Sequence, residues 1–222
     1  MNLNLEKFNL DYHFSSTVTR ANIPEFLNTV KPVFDEYVKK SITINENRNP
    51  VYPGIMTEII SADIRIESFV QYVSDLSWYI LNHQGYNMDL YYTDASEMWG
   101  QYHPYSSNME QHIHGNGIQL SGFYFLETPN NSSKLLIHDP RSTKVQIGLP
   151  ERRSTDITSA HNIITYTPEP GDLIFTNSWL SHSFSRNSSH LPYSFIHINV
   201  RVINRENNNS KEQCNIPQPI IV

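Results

Sequence analysis

Two histidines separated by one residue, His112 and His114, have the type and spacing that suit metal binding. They lie near the start of residues 109–127, a stretch that continues with two glycines and then with aromatic and aliphatic residues. In an extended strand, alternate side chains share a face and their Cα atoms lie about 7 Å apart. Two imidazoles placed in this way can bind one ion. Because a catalytic metal site usually has three protein ligands and keeps a position open, a third ligand is expected from elsewhere in the chain.

The third ligand that we predict is His182. It lies in residues 168–187, where a turn that contains Pro and Gly precedes a short apolar run and the histidine follows. In a small fold of two facing sheets, ligands from opposite sheets meet at the open mouth. We therefore predict a metal site formed by His112, His114 and His182. The other histidines of the ten in the chain are expected to be exposed or hydrogen-bonded.

The composition limits the class of protein. The chain has 222 residues, enough for one domain with a sizeable core. Its formal charge of −6 argues against a nucleic-acid-binding surface, since phosphate binding needs clustered Lys and Arg. No apolar run reaches the length of a membrane span, and no signal peptide is apparent. The single cysteine, Cys214, cannot form an internal disulfide, so a reducing compartment is compatible and we predict a cytoplasmic protein.

Two helices are predicted in the first 86 residues. The first starts at Asn22, with Asn as the cap and a proline in the first turn, and Pro32 should kink or divide it. The second covers residues 63–83, where apolar residues recur at helical spacing and Gly85 follows as a stop. Residues 1–20 could supply an outer strand, and residues 41–57 are predicted to be a loop because they are polar and contain Pro50 and Pro53.

From residue 87 onward the sequence favours short strands separated by turns. The predicted strands are residues 88–92, 98–103, 118–126, 134–137, 162–166, 172–176 and 193–202. The predicted fold is therefore mainly β with flanking helices: a double-stranded β-helix of the jelly-roll or cupin-like kind, preceded by N-terminal helices. We divide the chain into residues 1–86, a strand and supporting helices of the same domain, residues 87–203, the β-rich core, and residues 204–222, a polar tail.

Four blocks of this core are similar to sequences of the 2-oxoglutarate/Fe(II)-dependent oxygenase superfamily. In chain order they are HIH with SGFYFLETP, then LLIHDPR, then PEPGDLIFTNSWLSHSFSRN, and FIHIN. The branch that they resemble is a prolyl-hydroxylase-like group of bacterial and bacteriophage oxygenases, and the resemblance covers about residues 97–202. It implies an enzyme that uses Fe(II), 2-oxoglutarate and O₂ to hydroxylate a substrate, with release of succinate and CO₂. For a phage protein the compartment would be the host cytoplasm.

The resemblance also implies a metal site. The family motif is His-x-Asp or His-x-Glu followed by a distal His, a triad suited to non-haem Fe(II). Carried over, His112 is the first ligand, His182 is the last, and His114 occupies the position of the carboxylate. Glu110, on the same alternating face as the histidines, or Asp139, at the end of a nearby strand, could supply a carboxylate instead.

For the cosubstrate, the resemblance points to β-strand residues around the metal. Tyr124 matches a tyrosine that binds 2-oxoglutarate in the prolyl-hydroxylase branch, and Tyr193 stands where relatives carry Arg. Strand alternation places His197, Asn199 and Arg201 on the same face as Tyr193. We predict these five residues to bind the cosubstrate.

The far carboxylate of 2-oxoglutarate needs a cation, because a buried unpaired charge is costly. We rank His197, in its protonated form, first for this role. Lys134, Arg141 and Arg201 are the other candidates.

Two further expectations concern function. The alternative to an oxygenase is a cupin-type metal protein, such as a dioxygenase that needs no cosubstrate, an isomerase or a binding module. Its usual Glu after the His-x-His pair is replaced here by Ile118 and Gln119. The substrate is expected to be a peptide or a small molecule, since the net charge is acidic and aromatic residues such as Trp99 and Trp179 are predicted on loops.

Overall fold

The computed structural model describes residues 9, 11–44, 53–152 and 157–206, and all structural statements refer to these. The predictions for the N-terminal residues 1–8 and for the tail beyond residue 206, including Cys214, lie outside the described residues. Within the described part, no helix has the length and apolar character needed to cross a membrane.

The described residues form two α-helices and ten strands. The helices are α1 (Leu27–Ile44) and α2 (Glu67–His83). The strands are β1 (Val18–Asn22), β2 (Ile55–Ile59), β3 (Tyr91–His103), β4 (Met109–His112), β5 (Ile118–Glu127), β6 (Leu135–His138), β7 (Ile163–Tyr166), β8 (Asp172–Asn177), β9 (His182–Phe184) and β10 (Tyr193–Asn204).

The strands form two antiparallel sheets. The six-stranded sheet has the order β1-β8-β5-β10-β3-β2, and the four-stranded sheet has the order β4-β9-β6-β7. Apolar side chains of both sheets pack together, including Phe123 and Phe195 from the larger sheet and Ile137 and Phe184 from the smaller one. This arrangement confirms the predicted double-stranded β-helix, although the two sheets do not join into a closed barrel.

The helices cover the outer face of the larger sheet. The buried residues of α1 and α2, such as Phe34, Phe69 and Val73, share one core with Met98 and Ile198 of the sheet. Burial of these apolar faces stabilises the helices on the sheet. The sheet therefore has a helix-covered outer face and an inner face that points toward β4, β9, β6 and β7.

Three local predictions in the N-terminal half need correction. Asn22 ends β1 and bonds Asp172 instead of capping a helix. Helix α1 continues through Pro32 as one element, so the proline does not divide it. The loop predicted at residues 41–57 is wrong at both ends, because residues 41–44 belong to α1 and β2 begins at Ile55; residues 45–52 lie outside the described residues.

Strand β5 is buried on both faces and sets the position of the interior residues. Phe123 and Phe125 belong to the core between the sheets, whereas Leu120 and Tyr124 belong to the core under the helices. Gly122 lies between them, and the ring of Phe175 on the neighbouring strand β8 occupies the space that a Cβ atom would need. The alternation of β5 thus decides which aromatic residues face the candidate site.

Candidate metal centre

Three histidines meet at one end of the space between the sheets. His112 ends β4 and is the cross-strand partner of His182, which begins β9. His114 follows β4, and its backbone N–H donates to the carbonyl of Ser178 at 2.9 Å. The ring centroids are 4.5 Å apart for His112 and His182, 5.1 Å for His112 and His114, and 5.3 Å for His114 and His182. One ring nitrogen from each residue lies within 4.8 Å of the others.

The hydrogen bonds of these rings leave nitrogens available for an ion. His112 Nδ1 lies 2.8 Å from the carbonyl oxygen of Glu110, and His182 Nδ1 lies 3.2 Å from that of Leu180. A carbonyl only accepts, so each Nδ1 carries the hydrogen and each Nε2 has a free lone pair. The Nε2 atoms of His114 and His182 are buried without a partner. Metal-bound histidines usually donate their other N–H to a carbonyl or carboxylate, so the three residues fit a divalent metal ion.

The surroundings keep two of the rings neutral. Burial, followed by the neighbouring His112, lowers the pKa of His114 to about 4 and that of His182 to about 3. A metal ion binds the neutral imidazole. The cluster can therefore accept a metal at neutral pH without first losing protons from these residues.

The two carboxylates considered as alternative ligands are not part of the cluster. Asp139 pairs with Arg141 at 2.7 Å and with Lys144 at 3.0 Å, and these cations hold the pKa of the carboxyl group well below its usual range. Glu110 is exposed, and the pairing of β4 with β9 shifts register between Met109 and His112. The shift breaks the alternation on which the prediction for Glu110 rested.

The predicted cosubstrate residues His197 and Asn199 face the cluster from β10. The His197 ring lies 4.7 Å from that of His114 and 4.2 Å from that of Trp99, and His197 Nε2 lies 3.2 Å from Asn199 Oδ1. Burial, with His114 adding to it, lowers the pKa of His197 well below its usual value. This shift opposes the protonated form of His197 that is expected from the sequence.

The structure also corrects the prediction that Tyr124 binds the cosubstrate. Its hydroxyl donates to the carbonyl of Ile23 at 3.1 Å, and its ring packs 4.8 Å from that of Phe69 on α2. The residue belongs to the core under the helices, so the sheet separates it from the histidines. Because β5 is buried on both faces, the apolar pattern of its sequence could not show which residues point inward.

The remaining candidates for cosubstrate binding lie at different depths. Tyr193 is fully buried in the inter-sheet core, and its hydroxyl has no hydrogen-bond partner. Arg201 is largely exposed and pairs with Glu97 at 3.0 Å. Lys134 and Arg141 are exposed. The structure thus brings His197 and Asn199 to the histidines, and it places Lys134 and Arg141 on the surface.

Several interior polar residues were not predicted as part of the site. Ser121 and Thr176 are cross-strand partners on β5 and β8, and Asn199 of β10 is the other partner of Ser121. The hydroxyls of Ser121 and Thr176 and the indole N–H of Trp99 are buried without partners. Trp99 lies in β3, within the strand predicted at residues 98–103, so its expected position on a loop is wrong. Alternation along β3, β5 and β8 is the sequence signal that could have identified them.

Comparison with known proteins gives a family match over the part of the chain that contains the cluster. Residues 97–195 match the family model described as "Putative 2OG-Fe(II) oxygenase". No curated protein matches the chain significantly in sequence. The matched residues run from β3 into β10 and include all three histidines of the cluster.

Solved structures share the fold at low sequence identity. A prolyl-4-hydroxylase from Pseudomonas putida is 11% identical with a TM-score of 0.55, covering 84% of this chain and 93% of that one. A viral collagen prolyl hydroxylase from Paramecium bursaria Chlorella virus-1, solved with 2-oxoglutarate, is 10% identical with a TM-score of 0.53, covering 83% and 94%. A prolyl hydroxylase from Trichoplax adhaerens, in complex with a hypoxia inducible factor peptide, is 12% identical with a TM-score of 0.54, covering 88% and 87%.

Proposed function

We propose that this chain is a 2-oxoglutarate/Fe(II)-dependent oxygenase, which the family match of residues 97–195 supports, and that it hydroxylates a peptide or small-molecule substrate. In the proposed reaction, 2-oxoglutarate loses CO₂ and becomes succinate by taking one oxygen atom of O₂. The other oxygen atom enters a C–H bond of the substrate as a hydroxyl group. When bound, Fe(II) supplies the activation of O₂ that couples these two changes.

The observation that carries the proposal is the set of three converging imidazoles at the end of the inter-sheet space. His112 and His182 are oriented by backbone carbonyls, and His114 is fixed through its own backbone N–H. These contacts preset the rings for one ion, so little reorganisation is needed on binding. We propose His112, His114 and His182 as the Fe(II) ligands.

The chain's other residues would position the reactants. His197 and Asn199 face the histidines and are proposed to line the cosubstrate pocket, with Tyr193 at its deep end. Buried aromatic side chains beneath the histidines exclude water from the reaction.

The substrate would approach from the side of the exposed apolar residues next to the metal ligands. Ile113 is 59% exposed between two of the histidines, and Trp179 is 48% exposed shortly before the third. Together they offer an apolar surface to a peptide or a small molecule.

We further propose a cytoplasmic location, in a phage host if the gene is of phage origin, because reducing conditions keep iron in the Fe(II) state.

The first test measures iron content after anaerobic loading with Fe(II). The expected result is one Fe(II) per chain for the wild type and loss of bound iron in His112→Ala and His182→Ala. His190→Ala is the matched control and should keep its iron, since His190 is exposed and stacks only on Tyr105. Full occupancy in the His112 and His182 variants would refute the metal site.

The second test follows succinate formation from 2-oxoglutarate in the presence of Fe(II) and O₂. Slow turnover is expected even without added substrate, with none in His182→Ala. Bound iron without succinate under any condition would favour the cupin-type alternative.

A further inference from the structure

A cavity of about 500 Å³ opens at the same end of the two sheets as the three histidines. Four segments line it: the residues before β1, the end of β6, the residues before β7 and the turn before β9. Strand register brings these ends together, because Ile137 near the end of β6 is the partner of His182 at the start of β9, and His138 is the partner of Ile163 at the start of β7. The cavity and the histidines therefore share one end of the fold.

Two residues of the cavity wall are direct neighbours of a candidate metal ligand. Leu180 and Ile137 both line the cavity, and both belong to the core between the sheets. The carbonyl oxygen of Leu180 lies 3.2 Å from His182 Nδ1, and Ile137 pairs with His182 across the strands. A ligand in this cavity would thus lie next to the residues that orient His182.

Apolar side chains supply much of the remaining lining. The half-buried Val18 of β1 and Ile164 of β7 extend the apolar floor, and the exposed Tyr12, Phe14 and Ile157 lie at the opening. Sites for small molecules are usually concave, have volumes of about 300–1,000 Å³ and are lined mainly by apolar and aromatic side chains. The cavity matches this description in both volume and lining.

The charged groups of the lining are already paired. It contains one carboxylate, Asp139, and one guanidinium, Arg141, and these two groups lie 2.7 Å apart. Asp139 also pairs with Lys144 at 3.0 Å, and Arg141 donates to the carbonyl of Ser159 at 2.9 Å. Burial lowers the pKa of His138, which favours its neutral form. A charged ligand would have to compete with these contacts, whereas an uncharged ligand would leave them intact.

We infer that this cavity is the substrate site and that the substrate is an uncharged, apolar small molecule. Its apolar body rests on the floor between β1, β6 and β7, beside His182. A peptide would instead be held in extended form along a sheet edge or an open groove. This inference rests on the proposed function, because it assigns the substrate of that reaction.

The first test compares two probes that share one ring system. The full-length, iron-loaded protein is titrated anaerobically in a calorimeter with 2-naphthalenemethanol, which is uncharged, and with 2-naphthoate, which is an anion. Saturable one-to-one binding is expected for the alcohol, with at least tenfold weaker binding of the acid, because the acid loses hydration on an apolar floor. Equal or tighter binding of 2-naphthoate would overturn the uncharged class. If the alcohol fails to bind while 2-oxoglutarate is still converted to succinate, the inference falls and the proposed function stands.

Two adjacent residues of β7 provide a matched pair of variants. Ile164 lines the cavity and is the partner of Ile137, whereas Ile163 is exposed and does not line it. Ile164→Glu should weaken 2-naphthalenemethanol tenfold or more, and Ile163→Glu should change its Kd less than twofold. Ile157→Glu, at an exposed lining position, should weaken the probe as well and is the second variant if Ile164→Glu does not fold. An unchanged Kd in both lining variants would place the probe elsewhere and overturn the inference.

A paramagnetic ion tests whether the cavity adjoins the metal. Co(II) is paramagnetic and binds nitrogen ligands more tightly than Fe(II), and Zn(II) is a diamagnetic control. The proton signals of bound 2-naphthalenemethanol should broaden in the Co(II)-loaded protein and stay sharp in the Zn(II)-loaded protein. The broadening should disappear in His182→Ala. Tight binding without broadening would show a site remote from the metal, and the cavity would then not be the substrate site.

Discussion

At the scale of single residues, the main chain orients the candidate ligands. Two of the three imidazoles donate to carbonyls two residues earlier in the chain, at Glu110 and Leu180. The sequence could predict His112, His114 and His182 because spacing and chain order carry that information. It could not predict these hydrogen bonds, nor the partnerless Nε2 atoms, which depend on how β4 and β9 pair.

The hydroxyl of Tyr124 gives the first prediction at this scale. It donates to the carbonyl of Ile23 on the helix side of the sheet. Tyr124→Phe should therefore lower the free energy of unfolding by about 1 kcal/mol, the usual net value of a buried hydrogen bond. The affinity for Fe(II) and for 2-oxo acids should not change. Urea unfolding and anaerobic titration measure the two effects, and a tenfold loss of 2-oxoglutarate affinity would contradict the placement of this residue.

At the scale of elements, the sequence predicts strands correctly where turn residues mark both of their ends. Residues 118–126 and 193–202 were predicted as strands and correspond to β5 and β10. Residues 88–92 and 98–103 were predicted as two strands, yet β3 is continuous because residues between them pair with β10. Strand β2 was missed because nearby prolines and polar residues suggested a loop, and only pairing with β3 makes it a strand.

The pairing of β5 with β8 gives the second prediction. A Cβ atom at Gly122 would lie 2.4 Å from a ring carbon of Phe175, and that ring is itself buried. Gly122→Ala should destabilise the protein by about 1–3 kcal/mol, the usual cost of overpacking a filled core. Gly148→Ala is the control, since no atom lies within 4 Å of its Cβ position. Equal thermal midpoints for the two variants would show that Phe175 moves freely.

At the scale of the whole molecule, the larger sheet contributes side chains to two separate cores, one on each of its faces. The outer face of the larger sheet packs on the helices, and the inner face encloses the candidate site. Hydrophobic patterning predicted both layers, since helices and strands follow different periods. The polar residues of the inner core were less predictable, because their burial depends on contacts between strands far apart in the sequence.

Buried histidines should make the whole fold sensitive to acid. His103 is 2% exposed, and burial lowers its pKa to about 4, whereas an unfolded histidine has a pKa near 6.5. Below pH 6.5 the unfolded chain binds a proton that the folded chain does not, so acid favours unfolding. The contribution of His103 to stability is thus intact above pH 6.5 and is lost between pH 6.5 and about 4, by about 3 kcal/mol in total.

The replacement His103→Leu removes this titration. With a chelator present, urea unfolding of the wild type and of the variant at several pH values between 6.5 and 4.5 gives the number of protons taken up on unfolding. The variant should take up nearly one proton fewer near pH 5, and its free energy of unfolding should fall less steeply, by roughly 1.4 kcal/mol per pH unit for that proton. His190→Ala is the control, since His190 is exposed, and it should keep the wild-type proton uptake on unfolding. Identical slopes for wild type and His103→Leu would show that the buried imidazole is protonated in the folded protein.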